Sequence, residues 1–111
     1  MHMGSVALIG VKSPQNFYHV MFNNSAHESV GGLPTLMSDI NIKDLILACG
    51  YRAYYNAKNI DELNDILFEF LHSEGPVFLN IDVSIESRKD LGRPTTTPIE
   101  NKNDFIKKLR S

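Results

Sequence analysis

The sequence predicts an α/β domain organised on a parallel sheet, and three observations predict it. Short aromatic and β-branched runs alternate with longer segments whose apolar residues recur at helical spacing, in the order strand, helix, strand, helix, strand. A helix, rather than only a tight turn, lies between successive strands, so the strands run parallel and are joined by right-handed crossovers. The first strand opens into a long polar, glycine-rich loop, and open α/β sheets bind their ligands at such carboxyl ends. A length of 111 residues allows one domain, residues 1–111, and 42% hydrophobic with 22% charged residues is an ordinary globular composition.

A helix is expected from His2 to Lys12, stopped by Ser13-Pro14. Phe17 to Phe22 lacks the 3.6-residue period and reads as the first strand. The segment from Asn23 to about Asn41 then reads as one long loop, of the length that is usually functional. Asn41 caps a helix over Ile42 to Cys49, and Gly50 ends it. The run Leu45-Ile46-Leu47-Ala48 is apolar all round, which predicts burial by more than one layer. Tyr51 to Ala57 is the second strand. Asn59-Ile60-Asp61-Glu62 has the form of a capping box, opening a helix with Leu63, Ile66, Leu67, Phe70 and Leu71 on one face and Gly75-Pro76 at its end. Val77 to Val83 is the third strand. From Ser84 the chain is polar and proline-rich, and Asn103 to Arg110 offers a terminal helix with Phe105, Ile106 and Leu109 facing inward. Three strands cannot cover both faces and both edges of a parallel sheet. The chain should therefore expose apolar surface, and it should associate, be poorly stable alone, or need a missing N-terminal part.

Composition excludes several functions. A formal charge of −2 gives no global reason to expect nucleic acid or an anionic membrane. The apolar start is too short for a membrane span, and its charge, Lys12, follows the apolar run instead of preceding it. One cysteine, Cys49, rules out an internal disulfide and a multi-cysteine metal site, and a cytoplasmic protein is the default expectation. His2, His19 and His72 have no metal-ligand spacing and read as structural or exposed.

The chemistry is expected in the loop Asn23-Asn24-Ser25-Ala26-His27-Glu28-Ser29-Val30-Gly31-Gly32-Leu33-Pro34-Thr35. Asn23 and Asn24 suit an Asx-type turn after a strand. Gly31 and Gly32 allow a close ligand approach or positive φ. His27 and Glu28 are the candidate catalytic pair, histidine because its charge changes near neutrality. Arg88, Lys89 and Arg93 flank a Gly92-Arg93-Pro94 corner, either as a solvated basic turn or as a clamp for a tetrahedral oxyanion.

The Asn-Asn pair closing a strand resembles the second half of the thiamine diphosphate motif. His27-Glu28-Ser29-x-Gly31-Gly32-x-Pro34-Thr35, taken with Ser87-Arg88-Lys89-Asp90-Leu91-Gly92-Arg93-Pro94-Thr95-Thr96-Thr97-Pro98, is similar to the phosphonopyruvate decarboxylase family, with the sulfopyruvate decarboxylases next. The resemblance covers essentially the whole chain. It implies thiamine diphosphate and Mg2+ as cofactors, with Asn23, Asn24, Ser25, Ala26, Gly31 and Gly32 at the cofactor. Asn24 and the Ala26 carbonyl become metal ligands, and Arg88, Lys89 and Arg93 become contacts to a small 2-oxo acid. The Gly-Asp-Gly that begins the family motif is absent, which reads as a C-terminal part of the diphosphate-side domain. The implied partners are a pyrimidine-binding domain or subunit and further copies in a homo-oligomer, without nucleic acid or membrane. The implied reaction is decarboxylation of phosphonopyruvate to phosphonoacetaldehyde and CO2, with no activity expected of this chain alone. The alternatives are sulfopyruvate as substrate, or a non-catalytic association module or truncated relic.

Overall fold

The computed structural model describes residues 3–28, 31–86 and 88–111. Met1, His2 at the expected start of the first helix, Ser29 and Val30 of the loop, and Ser87 of the C-terminal segment lie outside the described residues. The elements are α1 (Met3–Lys12), β1 (Tyr18–Asn23), β2 (Ala26–His27), β3 (Leu33–Pro34), α2 (Ile42–Ala48), β4 (Ala53–Ala57), α3 (Ile60–His72), β5 (Val77–Asp82) and α4 (Pro98–Arg110). The main sheet has the order β1-β5-β4, all parallel, with Tyr18 opposite Val77 and Ala53 opposite the same residue. The chain thus steps outward from β1 to β4 and back to the centre. Keeping one hand through that reversal requires the two crossover helices to lie on opposite faces.

The side-chain contacts follow this rule. On one face Phe78 of β5 joins Ile46 of α2 and Tyr51, with Val6 and Ile9 of α1 against them. On the other, Val77 and Leu79 join Phe70 of α3, backed by Leu63 and Ile66. The central strand is therefore buried from Val77 through Asn80 without alternation, whereas Val20 and Phe22 of the β1 edge are 43% and 71% exposed. α1 and α2 approach closely because Gly10 has no side chain; a Cβ there would collide with the carbonyl of Cys49.

Several expectations are corrected. The loop after β1 is not one structureless stretch: β2 and β3 form a small antiparallel hairpin, and Leu36–Ser38 is a turn of 3-10 helix capped by Thr35. α2 buries only Ile46 and leaves Leu47 38% exposed, because one sheet face and α1 cover only part of its surface. At α3, Asn59 accepts the Glu62 N–H at 2.9 Å as expected, but the Glu62 carboxylate takes the N–H of Lys58 rather than that of Asn59. α4 starts at Pro98, ahead of the expected Asn103, because Thr97 and Glu100 form a capping box there. Its Phe105 and Leu109 are 65% and 71% exposed instead of facing inward, since no face of the sheet reaches them.

His19 supplies a pH dependence. Its ring lies 4.5 Å from that of Phe78, its Nδ1 is 2.8 Å from the Tyr51 hydroxyl, and burial holds its pKa below the ordinary 6.5. The unfolded chain then binds a proton at higher pH than the folded one. Stability is full above pH 6.5 and is lost as pH falls through that value toward the lower folded pKa. Urea midpoints measured between about pH 8 and pH 5 should fall over this window, and the fall should flatten in His19→Phe.

Candidate active site loop and its two clefts

Two asparagines leave β1 and each builds a turn. Asn23 Oδ1 accepts the N–H of Ser25 at 3.0 Å, holding Ser25 at a φ of 55°, and Asn24 Oδ1 accepts the N–H of Ala26 at 3.1 Å. The chain then enters β2, where Ala26 stands opposite Pro34. Proline has no N–H to give, and the flanking bond runs from Thr35 N–H to the Ser25 carbonyl at 3.0 Å. In such a pair the N–H and C=O of the residue itself point away from the partner strand. The Ala26 N–H meets Asn24 Oδ1 there, and its carbonyl opens to the same side. Glu28 accepts from Asn24 Nδ2 at 3.2 Å and so fixes which way the amide faces.

Gly31 and Gly32 have φ of 85° and 73°, and nothing lies within 4 Å of a side chain placed on either. Both thus take the positive φ expected of them, and Gly32 N–H binds the His27 carbonyl at 3.0 Å, while the space around them stays open.

Asn23 and Asn24 form a wall between two clefts. One, of about 620 Å³, is largely apolar and is lined by Met3, Met21, Phe22, Leu36 and Met37 together with His27, which is half-buried. The other, of about 580 Å³, is polar; Ser25, Asn41 and Lys43 line it on the loop side, and Tyr54, Asn56, Lys58, Asn80 and Asp82 on the sheet side. It sits across the carboxyl ends of all the parallel strands, the usual ligand position in this class of sheet.

Its floor is a hydrogen-bonded chain. Asn80, 3% exposed, donates from Nδ2 to Asn56 Oδ1 at 2.6 Å and to Asp82 Oδ1 at 2.9 Å. These two acceptors set the orientation of the amide, because reversing it would bring three oxygens together. Asn80 Oδ1 is left with no partner among the described residues. The Tyr54 hydroxyl titrates above its ordinary value, first because it is desolvated and then because Asp82 is near. Asp82 lies opposite Asn23 in register, and Val83 N–H binds the Asn23 carbonyl at 3.0 Å, so this floor also fixes the start of the loop.

The sequence reading did not single out Lys43, Tyr54, Asn56, Lys58, Asn80 or Asp82. One signal was available: Tyr54 and Asn56, and Asn80 and Asp82, are i, i+2 pairs on one face at the ends of strands whose other positions are apolar. Arg88, Lys89 and Arg93 line neither cleft. Arg88 instead pairs with Asp90 at 2.6 Å and holds that carboxyl below its usual range, with both side chains at least 70% exposed. No three metal-ligating His, Cys, Asp or Glu residues gather among the described residues, and no helix among them is long and apolar enough to cross a membrane.

Comparison with known proteins gives the context for this loop. The chain is 37% identical over 100 residues to a phosphonopyruvate decarboxylase of Streptomyces viridochromogenes and 34% identical over 100 residues to one of Streptomyces hygroscopicus. Each match covers 90% of this chain and 25% of the relative, so the chain spans about a quarter of the length of the curated relatives it matches. No family model matches it.

Proposed function

From a chain homologous to phosphonopyruvate decarboxylases over 90% of its length, we propose that these residues form the metal and diphosphate side of a thiamine diphosphate-dependent 2-oxo acid decarboxylase acting on phosphonopyruvate. The homology carries the reading, and the loop geometry supports it. Magnesium takes hard oxygens and shares its shell with phosphate oxygens. Asn24 Oδ1 uses one lone pair on the Ala26 N–H and keeps the other. The Ala26 carbonyl opens beside it, so the two present adjacent neutral oxygens. These residues fit the metal, which would neutralise the diphosphate. Bound thiamine diphosphate supplies the electron sink that lets carbon dioxide leave a 2-oxo acid.

The chain's own residues then have distinct tasks. Glu28 orients Asn24, although the sequence reading had it as a catalytic partner of His27. His27 lines the apolar cleft, where exclusion of water would let an imidazole hold or deliver a proton at the reacting carbon. Asn23 and the reversal at Gly31 and Gly32 hold the loop in shape. For the tetrahedral anion of the substrate there are two cationic sources, Lys43 and Lys58 in the polar cleft and the outlying Arg88, Lys89 and Arg93 segment. The cleft lysines are the better placed, because a clamp from Arg88 would first have to give up Asp90.

The experiment grafts this chain in place of the matching 100-residue segment of the Streptomyces viridochromogenes relative. The chimera should release phosphonoacetaldehyde from phosphonopyruvate in the presence of thiamine diphosphate and magnesium. A folded, cofactor-loaded chimera without turnover would overturn the proposal. In an active chimera, Lys43→Ala with Lys58→Ala should raise KM about tenfold or more, and Arg88→Ala with Arg93→Ala should raise it less. The reverse order would move the anion site to the C-terminal segment. The purified 111-residue chain should show no turnover, since the residues that activate the aminopyrimidine ring belong in this family to another domain.

A further inference from the structure

Two helices of equal length carry exposed apolar stripes with rims of opposite charge. α3 and α4 each have 13 residues, about 20 Å at 1.5 Å per residue. α3 turns Leu63, Ile66 and Phe70 to the sheet. On its shoulder it leaves Ile60, Leu67, Phe68 and Leu71 in solvent, at 66%, 37%, 72% and 54% exposure. At 100° per residue Asp61 and Asp65 fall next to this stripe, and His72, stacked on Phe68 with centroids 4.1 Å apart, closes its end. α3 contains no lysine or arginine.

α4 has the complementary pattern. Ile99, Phe105 and Leu109 are 71%, 65% and 71% exposed and share one face with half-buried Ile106. Lys102 lies within that face, and Arg110 and Lys108 fall on its two sides, whereas Glu100 and Asp104 lie on the back. α4 has no extended packing contact with any other element of its own chain. Lone apolar residues on a surface are ordinary; two helix-long stripes with matching rims are not.

We propose that α4 of one copy of this chain docks along the α3 shoulder of a second copy, and that the contact is made twice about a twofold axis. A second copy is the occupant because both halves of the complementary pair are on this chain, and a twofold axis uses each of them once per subunit. The basic rim of α4 sets the register against Asp61 and Asp65, and the apolar stripes supply the burial. This contact is independent of the decarboxylase reading.

The test is the mass of the purified chain by light scattering after size exclusion at tens of micromolar. The wild-type chain should be a dimer, and Phe105→Ser with Leu109→Ser a monomer. Because α4 has no extended packing contact with another element of its own chain, that variant should keep the wild-type circular dichroism. Two charge-reversed chains give the decisive comparison: one carrying Asp61→Lys and Asp65→Lys, the other Lys102→Glu, Lys108→Glu and Arg110→Glu. Each should be monomeric by itself, and an equimolar mixture should dimerise, since every α4 then meets an α3 of opposite sign. A monomeric wild-type chain, which would mean that α4 closes on its own α3 or that another protein covers these stripes, overturns the proposal. So does a mixture that stays monomeric, or a dimer that survives in both the serine and the reversed variants.

Discussion

Replacing Phe78 by alanine should destabilise the fold by about 3–5 kcal/mol, the range for a fully buried aromatic. The ring is 2% exposed on the central strand and is the hub of one face of the sheet. His19 lies 4.5 Å from it, Tyr51 5.6 Å and Tyr54 5.9 Å between centroids, so residues from both edge strands and the entry to β4 rest on one side chain. The cavity would also remove the packing that keeps His19 neutral. A domain of this size holds only about 5–15 kcal/mol in total, and this sheet has two uncovered edges. The variant should therefore be largely unfolded by heat or urea under conditions where the wild-type chain is folded. The control is Phe22→Ala, the same chemical change on the β1 edge where the ring is 71% exposed. It should stay within about 0.5 kcal/mol of the wild type. Equal losses at both positions in urea titrations followed by circular dichroism would show that the core is not centred on β5.

The positions most legible in the sequence were those where local chemistry and tertiary packing agree. Asn59 caps α3, and Leu63, Ile66 and Phe70 face the sheet as their spacing required, whereas Leu67 and Leu71, expected on the same face, stay 37% and 54% exposed. The three parallel strands lie where the aromatic and β-branched runs placed them, within a residue or two at their ends. The misses have physical causes. Two-residue strands such as Ala26–His27 are shorter than any period, so the hairpin left no pattern to read. The stripe of α4 was visible, but periodicity gives a face and not the partner that covers it. In Tyr54, Asn56, Asn80 and Asp82 the polar residues were visible, but their convergence depends on the register of β4 against β5. Conversely, Arg88 has the right chemistry for an oxyanion and already holds a carboxylate, a preference set by the nearest neighbour in the chain rather than by any motif.

The loop itself carries the largest functional expectation. In the active chimera, Asn24→Ala should weaken magnesium-dependent thiamine diphosphate binding about a hundredfold or more, because it deletes one of two adjacent neutral oxygens and leaves the Ala26 carbonyl alone. The structural cost is small by comparison. Two hydrogen bonds are lost, the 3.1 Å bond from the half-buried Ala26 N–H and the 3.2 Å bond to the exposed Glu28 carboxylate, about 1–2 kcal/mol together. Asn24→Asp keeps an acceptor for Ala26 and adds a formal charge toward the ion, but it replaces the Nδ2 donor by an oxygen facing the Glu28 carboxylate. Thermal stability should fall without the ion, while a bound cation screens the two carboxylates and metal affinity is retained. Glu28→Ala leaves the ligand atoms in place and removes only the 3.2 Å restraint on the amide, and an orienting group of this kind is worth about 10–100-fold in affinity. The expected order of loss is therefore Asn24→Ala, then Glu28→Ala, with Asn24→Asp near the parent. Calorimetric titration with magnesium at fixed cofactor reads this order directly. If Asn24→Ala binds magnesium and cofactor as well as the parent, Asn24 serves to shape the turn and not to hold the ion. The metal would then have to be held by groups outside this loop.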